Sequence, residues 1–245
     1  RGPAGGHDVD ARRTRRGTAM KTTTIDAPPT MDKPVQVESL GGVAHVFFRH
    51  PSPWLIFGAG AAFTSLRLFW GGWSTWDLAV ALTIAALWPV QEWLIHVFIL
   101  HWKPFRLLGR DVDLYVARRH RDHHREPWLL EHVYVPTPTV VTGLALGVPL
   151  FLAIWWSVLP MSVGLTALAT FFVLGSVYEW THFIIHTGYK PRSAFYRRLW
   201  RHHRLHHFKN ENYWWGVSRI GADWLFKTAP DPADVERSTS VRDIV

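Results

Sequence analysis

The sequence predicts an all-α integral membrane protein, a four-helix bundle with a histidine-rich helical cap on its cytoplasmic side. Hydrophobic residues make up 48% of the 245 residues, and there are 15 tryptophans. Long uncharged runs alternate with strongly basic segments, as expected of helices that cross a bilayer and return. Histidine-rich words at helical spacing occur twice, each following an apolar run.

We expect the membrane-embedded domain to cover residues 41–228, between a disordered segment at 1–40 and a polar tail at 229–245. The predicted spans lie at about 54–70, 76–100, 137–157 and 161–181. The last two come from one uncharged run, with a break expected near Ser157–Pro160.

The first two spans contain residues that are unusual in a membrane helix. The first is short and includes Arg67, which we expect to reach towards the interface. A helix lying in the interface is the alternative for this segment. Pro89 should kink the second span.

The distribution of basic residues predicts the orientation of the chain. The short connections at 71–77 and 157–162 contain no Lys or Arg. The N-terminal part, the segment at 101–132 and the C-terminal part are rich in both. Because basic segments stay on the cytoplasmic side, a multi-pass protein would place every clustered histidine there.

Composition excludes several classes of function. The chain has no cysteine, which rules out disulfides, thiolate zinc sites and iron–sulfur clusters. The net charge of +8 could indicate nucleic-acid binding, but no recognised motif for it is visible. The uncharged runs favour a membrane and a lipid as the partners instead.

The strongest signal is a His-x-x-His-His word at His120–His124 that recurs at His203–His207. Positions i, i+3 and i+4 share one helix face, so the three rings of each word should point the same way. One copy could be a basic, solvated helix face; two copies, each preceded by a spaced histidine pair, favour a metal cluster. The predicted ligands are His96, His101, His120, His123, His124, His182, His186, His203, His206 and His207.

The spaced pairs predict local structure. His182 and His186 share a helix face, whereas His96 and His101 would diverge by about 140° on a continuous helix. The helix should therefore end or distort before Lys103–Pro104 if both are ligands. Glu92 and Glu179 either orient His96 and His182 by hydrogen bonds or satisfy polar groups at a helix end. The remaining histidines lie outside the repeated pattern and are treated as non-ligands: His7, His45, His50, His132 and His202.

Ligand type alone leaves the metal open, because imidazole suits zinc, iron, copper and nickel. Ten ligands suffice for two ions with about five each, which leaves positions where oxygen could bind. A structural zinc site needs only four.

These words resemble those of the fatty acid hydroxylase/sterol desaturase superfamily. The resemblance covers about residues 76–227, fills all ten motif positions and includes Asn212–Val217 after the last word. It implies a membrane-bound monooxygenase with two iron ions. Zinc can replace the iron in a purified or crystallised form. The resemblance also implies that dioxygen and two electrons are used to attack a C–H bond of a lipid. The closeness of Glu179–His182 and of the run Asn210–Trp215 to the fatty acid hydroxylase branch favours hydroxylation of a fatty acyl chain.

Three expectations follow about partners and alternatives. His50–Pro53 lacks the glycines of the cytochrome b5 haem motif that some relatives carry, so we expect a separate electron-transfer protein. A carotenoid or sterol hydroxylase or desaturase would share the metal site and differ in substrate. A metal-binding membrane protein without catalysis would keep the histidines but consume no oxygen.

Overall fold

The structure, a computed structural model, describes residues 33–37 and 39–244, and most of these are helical. The disorder expected at 1–40 therefore falls almost entirely outside the described residues. Helix α1 leads into two long helices, and a π-helical turn at His96–Leu100 extends the second of them. These first helices are α1 (Leu40–Phe47), α2 (Pro51–Trp70) and α3 (Thr75–Ile95).

A small hairpin separates α3 from the first histidine helix. Strand β1 (Phe105–Leu107) pairs antiparallel with β2 (Arg110–Val112), with Arg106 opposite Asp111. Helix α4 (Tyr115–Arg125) follows and carries the first His-x-x-His-His word.

A broken helical stretch then runs from Leu130 to Trp155. It comprises α5 (Leu130–Val133), α6 (Thr137–Thr142), a π-helical turn (Gly143–Gly147) and α7 (Val148–Trp155). The chain turns at 156–160, as predicted, into α8 (Met161–Ile185). Helix α9 (Ala194–Phe208) carries the second histidine word, and the short α10 (Gly221–Leu225) follows it.

Three helical stretches are long and apolar enough to cross a membrane: Thr75–Leu100, Leu130–Trp155 and Met161–Ile185. Their outward side chains, such as Leu82 and Leu150, are exposed and would contact lipid. The predicted first span is helix α2, but it is not among these three. It packs along α8, where Gly60 lies against Phe172.

The expectation that Arg67 reaches the interface is wrong, because its side chain is only 2% exposed. Its Nε donates to Asp77 Oδ1 and to Thr166 Oγ1, each at 2.9 Å. Asp77 also accepts from the backbone N–H of Ser74 and so caps α3. The guanidinium would be costly to bury without this carboxylate. The pair joins α2, α3 and α8 at the end opposite the histidines.

The main apolar core lies at the histidine end of α8. Phe183 and Ile185 of α8 pack there with Phe47 of α1, Leu199 of α9 and Val217. The histidine-bearing ends of α8 and α9 therefore pack against the same apolar core.

Candidate metal centre

The two histidine words lie on α4 and α9 and turn their rings inward. His123, His124, His203, His206 and His207 are at most 1% exposed. Arg125 and Arg201, which flank the words, are exposed, whereas Arg121 within the first word is buried and Arg204 within the second is half-buried. Each helix therefore presents a basic outer face and an imidazole inner face.

The π-helical turn at the end of α3 brings the first spaced pair together. The backbone N–H of His101 donates to the carbonyl of His96, five residues earlier, at 3.1 Å. This wider turn places the two rings with centroids 5.2 Å apart, although they would diverge on a regular helix. The distortion predicted before Lys103–Pro104 is therefore confirmed.

The ten predicted ligands fall into two groups of five. Within each group, one ring nitrogen from each histidine lies within 4.8 Å of those of the other four. The first histidine group consists of His96, His101, His120, His124 and His206. The second histidine group consists of His123, His182, His186, His203 and His207.

Four members of each group come from one half of the sequence, and the fifth comes from the other half. His206 of α9 joins the first group, and His123 of α4 joins the second. Both occupy the i+3 position of their word, while positions i and i+4 stay together. Successive residues on a helix are about 100° apart, so neighbouring rings such as His123 and His124 face different sides. The spacing predicts that all three rings of a word point the same way, so this exchange is not predicted from the sequence.

Backbone carbonyls fix the orientation of several rings. His96 Nδ1 lies 2.6 Å from the carbonyl oxygen of Trp215, and His206 Nδ1 lies 2.9 Å from that of Tyr213. His124 contacts Val241 O at 3.1 Å, and His186 contacts Pro127 O at 2.8 Å. Each carbonyl requires a proton on Nδ1, which leaves Nε2 of the neutral ring as a lone pair.

These lone pairs face one another inside the groups. The Nε2 atoms of His124 and His206 are 3.2 Å apart, and both rings carry their proton on Nδ1. His96 and His120 approach through Nε2 at 3.1 Å, and His203 and His207 at 3.0 Å. Such spacing suits nitrogens that share a cation, with metal–nitrogen bonds of about 2.0–2.1 Å. The residues therefore fit a metal.

Other ring nitrogens at the centre are buried and have no hydrogen-bond partner within the described residues. They include Nε2 of His101, His182 and His186, and both ring nitrogens of His123. Buried polar atoms normally find a partner. A metal ion bound to each group would supply that partner.

Burial keeps the helical-word histidines neutral, which is the form that binds metal. It lowers the pKa of His124 to about 3, against the opposing effect of the hydrogen bond to Val241. Burial, with help from neighbouring histidines, also holds the pKa of His120, His203 and His207 well below the usual range.

The histidines predicted as non-ligands lie outside both groups. His202 is bonded through Nε2 to Asp223 Oδ2 at 2.8 Å. His132 lies 3.6 Å from Glu126, and His50 accepts from the backbone N–H of Ser52 and stacks on Tyr134. His45 is in α1, away from both groups, and His7 lies outside the described residues.

A loop after α9 supplies two of the orienting carbonyls, and Asp223 holds it in place. The carboxylate accepts from the backbone N–H of Trp215 at 3.0 Å and of Gly216 at 2.7 Å. Burial alone would favour the protonated acid, but the hydrogen bonds from His202, Thr228 and Gly216 keep the pKa of Asp223 below its usual value. A Cβ at Gly216 would lie 2.2 Å from the Arg219 carbonyl oxygen, so this close turn requires glycine.

The Asn212–Val217 run is recognisable in the sequence, but the roles of Asp223 and of the C-terminal segment are not. The predicted polar tail reaches the site through Val241, whose carbonyl contacts His124. A backbone carbonyl leaves no trace in residue identity, so nothing in the sequence indicates this contact. Asp223 is one acidic residue on a short helix and carries no motif of its own.

Comparison with known proteins agrees with this geometry. A family model described as fatty acid hydroxylase matches residues 81–228. Human fatty acid 2-hydroxylase is 30% identical over 142 residues, which cover 58% of this chain and 37% of that protein. A dihydroceramide fatty acyl 2-hydroxylase of Arabidopsis thaliana is 26% identical over 147 residues, 59% of this chain and 57% of that protein. The chain thus spans little more than a third of the human relative.

A solved structure shows the same fold. It is described as full-length scs7p with only the hydroxylase domain visible, and the TM-score is 0.59 at 21% identity. The match covers 77% of this chain and 70% of the other. Together with the family match, which spans both histidine words and the loop that follows them, this shows that the chain belongs to the fatty acid hydroxylase family.

Proposed function

We propose that this chain is a membrane-bound, O2-dependent di-iron monooxygenase that hydroxylates the fatty acyl chain of a membrane lipid. The observation that carries the proposal is the pair of buried five-histidine groups, in which the Nε2 atoms of His124 and His206 face each other at 3.2 Å while both rings have their Nδ1 against a carbonyl. Five ligands per ion exceed what a closed zinc site needs and suit an ion that keeps a position for oxygen. The relatives named fatty acid 2-hydroxylase support an acyl chain as the substrate.

The proposed ligands are the ten members of the two histidine groups, with one iron for each group. Iron supplies oxygen activation, which no side chain of the protein can perform. The overall reaction joins one oxygen atom of O2 to carbon and reduces the other to water, with two electrons and two protons. The protein holds ten neutral imidazoles in place and shields them from solvent.

The position of the centre suits an apolar substrate. His96 follows α3 directly and His182 lies near the end of α8, so both stand at the ends of stretches that could cross a membrane. An acyl chain could therefore approach from the bilayer without crossing a polar layer. Glycerolipid or sphingolipid headgroups would remain at the surface.

We also propose a multi-pass topology with four spans and a cytoplasmic metal centre. Helix α2 would be the fourth span, because it packs along α8 and its buried Arg67 is paired with Asp77. The orientation rests on the charge asymmetry of the connecting segments. The basic helices α4 and α9 would then form a cap over the cytoplasmic ends of the bundle.

Electrons would come from a separate carrier protein that docks on this cap. Arg204 of α9 lies over the rings of Trp128, Trp200 and Phe208, with centroid distances of 4.7, 4.4 and 5.2 Å. Trp128 in turn lies 6.2 Å from His186 of the second group. Exposed Arg197, Arg198 and Arg201 add positive charge that favours an acidic partner.

Metal content tests the proposed ligands. The purified protein should contain about two iron equivalents per chain, and His206→Ala or His123→Ala should each lower iron content and abolish hydroxylation, because each removes one ligand of a group. His132→Ala, outside both groups, is the control and should keep both ions. Iron would be measured by mass spectrometry of the purified chains. Full iron content and activity in His206→Ala would contradict the assignment.

Cysteine labelling tests the topology, since the 245-residue sequence contains no cysteine. Cysteines placed at Ser74 and Ser162 should react with an impermeant maleimide added to intact cells. One at Ser240 should react only after the membrane is opened. Labelling in the opposite sense would overturn the cytoplasmic placement of the metal centre.

Oxygen-isotope labelling tests the reaction and the substrate. Cells that express the protein and grow under ¹⁸O2 should accumulate a hydroxylated acyl lipid with one labelled oxygen, as seen by lipid mass spectrometry. The His206→Ala variant should not produce it, and purified protein without a reducing partner should be inactive. New double bonds without labelled oxygen would refute hydroxylation. Labelled sterols or carotenoids would show that the substrate is one of these lipids and not an acyl chain.

A further inference from the structure

Two buried glutamates occupy matching places in the two halves of the protein. Glu92 lies four residues before His96 near the end of α3, and Glu179 lies three residues before His182 near the end of α8. Their exposed fractions are 6% and 1%. Neither carboxylate contacts a histidine or forms an ion pair with a described Lys or Arg. A buried carboxylate without a cation is costly, so its contacts call for an explanation.

Glu92 holds the loop that orients His96. It accepts hydrogen bonds from the backbone N–H groups of Val217 and Ser218, the latter at 2.8 Å, and from the Ser218 hydroxyl at 2.5 Å. Two residues before Val217, the carbonyl of Trp215 faces His96 Nδ1 at 2.6 Å. Glu92 and His96 therefore meet through the loop and not directly.

Glu179 makes the same arrangement with a different segment. It accepts from the backbone N–H of Val135 at 3.0 Å and from the Ser52 hydroxyl at 3.3 Å. Two residues before Val135, the backbone of Val133 is hydrogen-bonded to His182. The Nε2 of His182 has no partner and belongs to the second histidine group. In both halves, the glutamate carboxylate accepts a hydrogen bond from a backbone N–H. The carbonyl two residues before that N–H is hydrogen-bonded to a histidine ring.

We propose that Glu92 and Glu179 are positioning residues for the metal centre, Glu92 for the first histidine group and Glu179 for the second. Each carboxylate locks a backbone segment, and the carbonyl of that segment keeps the adjacent histidine with its proton on Nδ1 and its Nε2 directed into the group. The inference rests on the proposed function, in which each group holds one ion. It assigns the glutamates a task that neither the histidine pattern nor the helix ends require.

If the glutamates had only a general structural role, loss of either one would weaken metal binding by both histidine groups. A positioning role predicts that only one group is weakened. Among the described residues, Glu92 accepts hydrogen bonds only from the loop at 217–219, and Glu179 only from Val135 and Ser52. Loss of one carboxylate should therefore weaken one ion and spare the other. Loss of an outer contact of this kind typically costs about 10- to 100-fold in metal affinity.

The test is a titration of the metal-free, detergent-solubilised full chain with cobalt(II), followed by visible absorption. The parent should bind two equivalents tightly. Glu92→Ala and Glu179→Ala should each keep one tight equivalent and bind the other about 10- to 100-fold more weakly. The double variant should bind both weakly. If Glu92→Ala fails to fold, Glu92→Asp keeps the charge but shortens the reach, and should give the same selective loss.

Matched variants control for burial and for the hydroxyl contacts. Glu92→Gln keeps an oxygen that can accept both backbone bonds, so it should restore cobalt affinity to within a few fold of the parent. Asp77→Asn changes a buried carboxylate at the far end of α3; it should lower thermal stability and leave both cobalt affinities unchanged. Ser218→Ala should also bind two equivalents, because the backbone bonds remain.

Two results would overturn the inference. Unchanged affinity for both equivalents in the alanine variants would show that the carboxylates do not position the rings. Parallel weakening of both equivalents in each single variant would show a general structural role. A parent that binds no cobalt would instead overturn the proposed function, and the inference with it.

Discussion

Ten neutral imidazoles are packed into a buried space, and the need to orient their protons governs much of the surrounding structure. Each ring has one donor nitrogen and one acceptor nitrogen, and a ring turned the wrong way would offer a proton where a lone pair is needed. Carbonyls of Trp215, Tyr213, Val241 and Pro127 take the Nδ1 protons. These carbonyls lie on three segments, around 127, 213–215 and 241, that are far apart in the sequence, so the centre depends on the whole fold at this end of the molecule.

The helices make that dependence possible because they are fixed at both ends. At one end the Arg67–Asp77 pair and Thr166 join α2, α3 and α8. At the other end the apolar core around Phe183 supports the histidine-bearing turns. Between them the outer faces of the long stretches are apolar and exposed, as lipid contact requires. A rigid frame is needed because small displacements of ligands weaken a metal site.

The sequence predicted that the ten histidines cluster, that the turn at His96–His101 is distorted and that the fold is helical, because these follow from spacing and hydropathy. It could not predict that His123 and His206 cross between groups, since that depends on how α4 and α9 face each other. It also misplaced Arg67, because the partner Asp77 comes into reach only when α2 and α3 pack. The backbone carbonyls that orient the rings could not be predicted, since every residue has a carbonyl and residue type does not indicate which of them contacts a histidine.

In the proposed function, each histidine group holds one iron ion. Anomalous diffraction at the iron absorption edge, from crystals of the protein purified with iron, tests this most directly. We expect two separate peaks, one surrounded by His96, His101, His120, His124 and His206 and the other by His123, His182, His186, His203 and His207. A single peak shared by both groups, or peaks bound by histidines outside them, would contradict it.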